Sequence, residues 1–367
     1  MREEEPGSSG LLDGTRVLDL TIWRPGPYAT QLLVELGADV VKLEPPGGDP
    51  MRVFPALFSV LNAGKRAAVV DLKHEAGRAD ALELAREADV VVEGFRPGVV
   101  GKLGFGEVSI RAINRSVVYC SISGYGQSGP LSALPGHDVN YQAWSGILEP
   151  RPGSDAPVVA RPPIADLAGG AYAALAICAA LARRSRTGEG EAIDVAMADV
   201  LATWTGAVPP LTLDDGRAVG GQVPGYGTFR TRDDKWVALG VISEDHLWAK
   251  LAEALGLDDV AALTFPERLE RTETLNDRLA AVIEARARDE LVDELVAAAL
   301  PIAPVLSQSE MLTAEQFRAR GVVADDSDGR PLAHHPLRYA HHPTTSPGRA
   351  PTLAENAPAL PTWRNDR

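Results

Sequence analysis

Between Arg16 and Lys102, short β-branched runs alternate with stretches whose apolar residues recur at helical spacing: TRVLDLT, PYATQLLVELG, ADVVKLE, AAVVDL, GRADALELAREA and DVVVEGF. Runs apolar on both faces, separated by amphipathic helices, predict βαβ units around a mostly parallel sheet. SVVYCSISGYG adds a further strand that runs into a glycine-rich loop. In such sheets the loops at the carboxyl ends of strands carry ligands. TIWRPG, KLEPPGGD, EGFRPG and SGYGQSGP are therefore the loops expected to hold chemistry.

Next come a His-Asp loop, GHDVNYQAWSGIL, and a Pro-rich crossing, EPRPGSDAPVVARPP. IADLAGGAYAALAICAALARR follows, the longest helix-like run and apolar on nearly every side, which predicts deep burial. TGEGEAIDVAMADVLATWTG predicts a strand leading into a helix, and the Gly/Pro/Asp-rich stretch after it predicts a linker. Beyond it, a hairpin turning at Asp233 and Asp234 and helices from Glu244 to Leu300 predict a smaller domain. The expected organisation is a large domain over 1–208, a linker at 209–225, a small domain at 226–325 and a C-terminal segment at 326–367 whose Pro-rich tail wraps over the fold. A length of 367 residues fits two domains at roughly 150 residues each.

With 45% hydrophobic and 23% charged residues and no apolar run approaching the ~20 that a membrane helix needs, the chain reads as soluble, with no membrane partner. A net charge of −14 argues against nucleic acid, whose phosphates draw on clustered Lys and Arg. Cys120 and Cys178 both sit in apolar stretches, so neither a disulfide framework nor a thiolate metal site is expected, and the setting is a reducing, cytoplasmic one. MREEEPGSSG does not read as a secretory signal.

Asp166 precedes LAGGAYAALAICAAL where an N-cap belongs, and position alone explains it as a cap. Gly169 and Gly170 in the turn after it, each costing about 1 kcal/mol in a helix interior, imply that something approaches that turn closely. His137 and Asp138 are adjacent in a loop, so one can serve a reaction while the other holds the chain. Arg24, Lys42, Arg52, Lys65, Arg66 and Arg96 occupy the strand-end loops and their surroundings, where together they could form an anion pocket in an acidic protein. No Walker loop, HExxH or GxSxG is present. His334, His335, His341 and His342 lack acidic or thiolate partners at ligand spacing, so no metal is expected.

Six ordered blocks now carry a resemblance: LLDGTRVLDLTIWRPGPYATQLLVELGADVVKLEPPGGDPMR, NAGKRAAVVDLK, VVEGFRPGVVGKLGFG, YCSISGYGQSGP, GHDVNY and ADLAGGAYAALAICAALARRSRTGEGEAIDVAMAD. Over nearly its whole length the chain resembles the family III coenzyme A-transferases, which include the α-methylacyl-CoA racemases. The resemblance implies an α/β fold with a Rossmann-like large domain, a smaller α+β domain and an interlocked homodimer. It implies an acyl-CoA thioester as substrate, with coenzyme A as part of that substrate and no tightly bound cofactor. It makes Asp166 the catalytic aspartate and puts Arg24, Lys42, Arg52, Lys65, Arg66, Arg96, Gly124, Tyr125 and Gly126 in blocks that contact coenzyme A, with Arg96 foremost.

Two chemistries share that scaffold. A transferase aspartate attacks a thioester and passes CoA to a second carboxylate. A racemase removes the α-proton on one face and returns it on the other. His137 in GHDVNY resembles the racemase second base, and GGQVPGYGTF resembles the racemase version of its region, so α-proton chemistry on a 2-methylacyl-CoA by Asp166, His137 and Asp138 is the expectation. Where racemases carry a Glu, this chain has Ser243 with Glu244 beside it, which adds Glu244 to the candidates. CoA transfer and acyl-CoA binding without turnover are the alternatives.

Overall fold

The runs read as strands form β1 (Arg16–Leu20), β2 (Asp39–Glu44), β3 (Arg66–Val69), β4 (Val90–Glu93), β5 (Val118–Ser123) and β6 (Glu191–Ala196). In the computed structural model, which describes residues 10–150, 156–207, 223–325, 329–344, 348–353 and 361–364, they make one all-parallel sheet in the order β3-β2-β1-β4-β5-β6. The strand order reverses between β1 and β4. At such a switch point the loops after the two central strands part and leave a crevice at the carboxyl edge of the sheet.

Helices cover both faces, which is why the strands are apolar almost without interruption. On one side α1 (Pro25–Glu35) and α7 (Ile164–Thr187) bury Val17, Val40, Val90, Cys120 and Ile122. On the other, α3 (Glu75–Glu87) and α5 (Glu107–Ile113) bury Leu18, Leu20, Val41, Val91 and Tyr119. Between β5 and α7 lies α6 (Asp138–Trp144), and β6 leads into α8 (Met197–Gly206).

Helix α7 corrects three expectations. Its N-cap is Pro163 and Asp166 stands inside its first turn, so Asp166 is not the cap. It is not buried all round, for Tyr172 and Leu175 are 41% and 64% exposed. It is also, among the described residues, the one helix long and apolar enough to cross a membrane, although its Ala168, Ala173, Ala174 and Ile177 belong to the same core as α1 and the sheet. Such a run marks a core helix as readily as a spanning one.

The close approach foretold by Gly169 and Gly170 is made by the protein itself. A Cβ on Gly170 would lie 2.5 Å from the Pro25 carbonyl oxygen, and one on Gly169 would lie 2.6 Å from Met197 Cγ. The second turn of α7, next to the one that bears Asp166, is thereby pressed against the start of α1 and the β6–α8 junction.

A buried ionic cluster underlies the β1–α1 loop. Burial alone would raise the Asp19 carboxyl; the Lys65 and Lys42 ammonium groups and the Thr21 and Thr30 hydroxyls overcome that and hold it well below the carboxylate range. Lys65 reaches Asp19 at 3.1 Å, Thr30 Oγ1 at 2.7 Å and Asn62 Oδ1 at 3.0 Å. Lys42 pairs with Asp49 at 2.9 Å and donates to the Thr21 carbonyl at 2.6 Å. The C-terminal segment closes over the same unit: Trp363 enters the core beside Leu84 and donates to its carbonyl at 3.2 Å, while Arg52 and Arg66 donate to the carbonyls of Pro351 and Thr362.

The chain divides into two compact units, Met1–Pro150 with Ala156–Val208 and Gln316–Arg367, and Pro209–Glu315 with Arg151–Asp155, taken over their described residues. Most of the linker expected at 209–225 lies outside the described residues. The smaller unit carries an antiparallel sheet of β7 (Tyr226–Arg230), β8 (Trp236–Gly240) and β9 (Ile302–Pro304), with Asp234 in the left-handed region at the β7–β8 turn. Helices α9 (Asp245–Ala254), α11 (Thr272–Glu284) and α12 (Arg288–Ala297) pack Trp248, Leu279 and Leu291 against it.

Gly170→Ala is expected to destabilise the larger unit by about 1–3 kcal/mol, because the added methyl meets a backbone carbonyl rather than a movable side-chain end. Urea unfolding measures it; an unchanged midpoint would show that α1 and α7 part freely.

Candidate active site

The crevice at the switch point holds a cavity of about 600 Å³. One wall is the β1–α1 loop, with Ile22, Trp23, Pro25 and Gly26; the facing wall is the loop after β4, with Gly94, Phe95, Arg96 and Pro97. Gly124 and residues between Ser132 and Tyr141 close the third side, and Asp166 and Met197 also line it. Of the candidate residues, Arg96, Gly124, His137 and Asp166 converge on this crevice.

His137 and Asp138 part company, as neighbours with extended backbone between them do. His137, with φ −128° and ψ 174°, lines the cavity. Asp138 turns to α7, which has no side-chain cap on its own N-cap residue: its Oδ1 accepts from the N–H groups of Ala165 at 2.7 Å and Asp166 at 3.1 Å. Its other oxygen accepts from Gln142 Nε2. Asp138 therefore caps the helix that carries Asp166 across 28 residues of sequence.

Two glycines and a tyrosine fix the loop bearing His137. A Cβ on Gly124 would lie 2.3 Å from Tyr141 Cε1 and one on Gly136 2.7 Å from the same atom, so both backbones close on that ring. Tyr141 Oη donates to the Gly136 carbonyl at 2.6 Å, one residue before His137.

The Asp166 side chain is 18% exposed. Burial first, and the Asp138 carboxylate second, push its carboxyl up to about 6, opposed by the Arg24 guanidinium, whose Nε lies 4.0 Å from Asp166 Oδ2. A carboxyl titrating there can both take and give a proton near neutrality, which an ordinary aspartate does poorly.

The proposed cation pocket is largely dispersed. Lys42 and Lys65 are fully shielded and held in the Asp19 and Asp49 cluster, so they brace the loop and do not face a ligand. Arg52 is held by Glu44, at 2.5 Å and 2.7 Å, and Arg66 by Asp39, at 2.5 Å. Arg24 stands beside Asp166, and Arg96 is exposed on the cavity wall. Gly124 lines the cavity; Tyr125 and Gly126 do not, Tyr125 lying buried with its ring edge-on to Tyr141 at 5.1 Å. Glu244 belongs to the smaller unit, where it is the N-cap residue of α9 and accepts the Ile242 N–H at 3.0 Å. Its own backbone N–H and that of Ile242 hold its carboxyl below the usual range. Among the described residues no group of three or more His, Cys, Asp or Glu could hold a metal ion.

Sequence reasoning missed Trp23 and Tyr141 as site residues. Both lay in segments singled out for other reasons, TIWRPG and GHDVNY, where the arginine, imidazole and carboxylate neighbours drew the attention.

Residues 12–357 match the family model described as CoA-transferase family III. Among curated proteins, an acetyl-CoA:oxalate CoA-transferase of Acetobacter aceti is 34% identical over 98% of this chain and 97% of its own. The human α-methylacyl-CoA racemase is 31% identical over 97% of this chain and 89% of its own. Among solved structures, a CAIB/BAIF family protein from Brucella suis superposes with a TM-score of 0.83 at 30% identity, covering 95% of this chain and 97% of that one.

Because Asp166 is raised from 3.8 to about 6 in the fold, the folded chain holds its proton where the unfolded chain has lost it, so stability falls as pH rises from about 4 to about 6. A shift of about two units corresponds to roughly 2–3 kcal/mol. Asp166→Asn should remove that loss and unfold at higher urea than the parent at pH 8, with the two converging near pH 4. Parallel urea midpoints from pH 4 to 8 would overturn the assignment.

Proposed function

The chain belongs to CoA-transferase family III, and from that membership we propose that it is an enzyme of α-proton exchange on a 2-methylacyl-CoA thioester, with Asp166 and His137 as the two proton-transfer groups. The observation that carries this reading is the presence in one cavity of a carboxyl raised to about 6 and an imidazole. One group takes the α-proton while the C–H electron pair moves into the thioester carbonyl to give an enolate. The other then donates a proton to the opposite face as that pair returns. Asp138 already occupies the N–H groups of Ala165 and Asp166, so these do not receive the enolate oxygen.

A second reading is favoured by the names of several relatives, such as the acetyl-CoA:oxalate CoA-transferase of Acetobacter aceti. In it, the Asp166 carboxylate attacks the thioester carbonyl, expels the CoA thiolate and forms a mixed anhydride; the thiolate then attacks the Asp166 carbonyl, releasing the first acid as its carboxylate and leaving an aspartyl-CoA thioester. The second carboxylate attacks that thioester in turn, and the thiolate it displaces opens the new anhydride at the acceptor's carbonyl, giving the new acyl-CoA and free Asp166. With a pKa of about 6, Asp166 is mostly ionised at pH 7, as a nucleophile requires.

One preparation distinguishes the two. In deuterated water a 2-methylacyl-CoA should gain α-deuterium, and His137→Ala should slow the gain by about 10²-fold or more. Exchange at the parent rate in that variant, or none with any branched acyl-CoA, would sink the first reading; hydroxylamine-trapped Asp166 with CoA movement to oxalate or succinate would establish the second. We also infer, from the family resemblance, that two chains of 38.9 kDa associate. Light scattering at micromolar concentration should give twice that mass, and a monomer mass would refute it.

A further inference from the structure

Trp23 holds φ at +63°, in the left-handed region, where a bulky side chain is an outlier. The chain is anchored on both sides of it. Thr21 gives its N–H and hydroxyl to the buried Asp19 carboxylate, at 2.8 Å and 2.5 Å, and its carbonyl accepts from the buried Lys42 at 2.6 Å. Pro25 begins α1 and sets its carbonyl against Gly170 of α7. The residues between must bridge two fixed points, and the turn falls on Trp23. Glycine or asparagine would make that turn with little strain.

The indole does not repay this strain by core packing, since Trp23 is 43% exposed. Trp23 is instead one of the residues lining the cavity that also holds His137 and Asp166. Arg24, the next residue, lies 4.0 Å from Asp166, so this part of the loop stands at the reacting end of the cavity. Strain retained at a large residue on the wall of a site points to a function there.

We propose that Trp23 sets which acyl groups the cavity admits: its indole is the wall against which the acyl chain lies, and it favours compact acyl groups over bulky ones. This rests on the reading of the cavity as an acyl-CoA site.

Trp23→Gly and Trp23→Asn both accept the observed backbone, so selectivity can be read even if one of them fails to fold. Calorimetric affinities for CoA, isobutyryl-CoA and 2-phenylpropanoyl-CoA, with α-deuterium exchange on the two esters, are compared with the parent. The ratio of bulky to compact ester, in binding and in turnover, should rise roughly tenfold or more, the scale on which hydrophobic pockets discriminate size. An unchanged ratio, or an equal loss for both esters as expected from a merely loosened loop, overturns the proposal while leaving the acyl-CoA site standing. Failure of the parent to bind any of the three ligands overturns the site and the proposal together.

Discussion

The structure hangs on a charge that cannot be left alone. Asp19, near the end of the central strand, is wholly shielded from water, and an unpaired carboxylate there would cost several kcal/mol. Lys65 supplies the countercharge, Thr21 and Thr30 supply hydroxyls, and Lys42 supplies a second charge while gripping the Thr21 carbonyl. Everything the site needs follows in sequence: a rigid β1–α1 loop, a fixed start for α1, the contact of that start with Gly170, and thus the placement of the first turn of α7 with Asp166 in it.

Asp138 and Asp166 show how two like carboxylates divide their labour. Asp138 spends its oxygens on helix N–H groups and a glutamine amide. Its neighbour, denied those donors and partly buried, keeps its proton to higher pH. Part of the fold's stability is surrendered at Asp166, the trade expected where a side chain is held ready for chemistry rather than satisfied.

Much of the architecture was legible in the sequence, because both-sided burial of a parallel sheet writes itself as unbroken apolar runs. The strand order was not, since periodicity says nothing of which strands pair. Lys42 shows how charge misleads. It lies inside DVVKLE, amid residues buried in the sheet, and that setting argued for an internal partner; its sign alone drew it into a ligand pocket. The capping of α7 by Asp138 was illegible, because it joins positions brought together only by tertiary structure, and Asp166 therefore looked like a cap. The left-handed Trp23 was invisible for a related reason: its conformation is dictated by what clamps the chain on either side, not by its own preference.

Because Asp138 grips α7 directly, the imidazole of the preceding residue and the carboxylate of Asp166 ride on one mechanical body. The covalent route between them, through the connection from α6 to α7, does not set their separation; the noncovalent clasp does. That connection is consequently free to lengthen, shorten or change composition among descendants of this chain while the acid-base spacing stays constant. Evolutionary drift can accumulate there without retuning the chemistry.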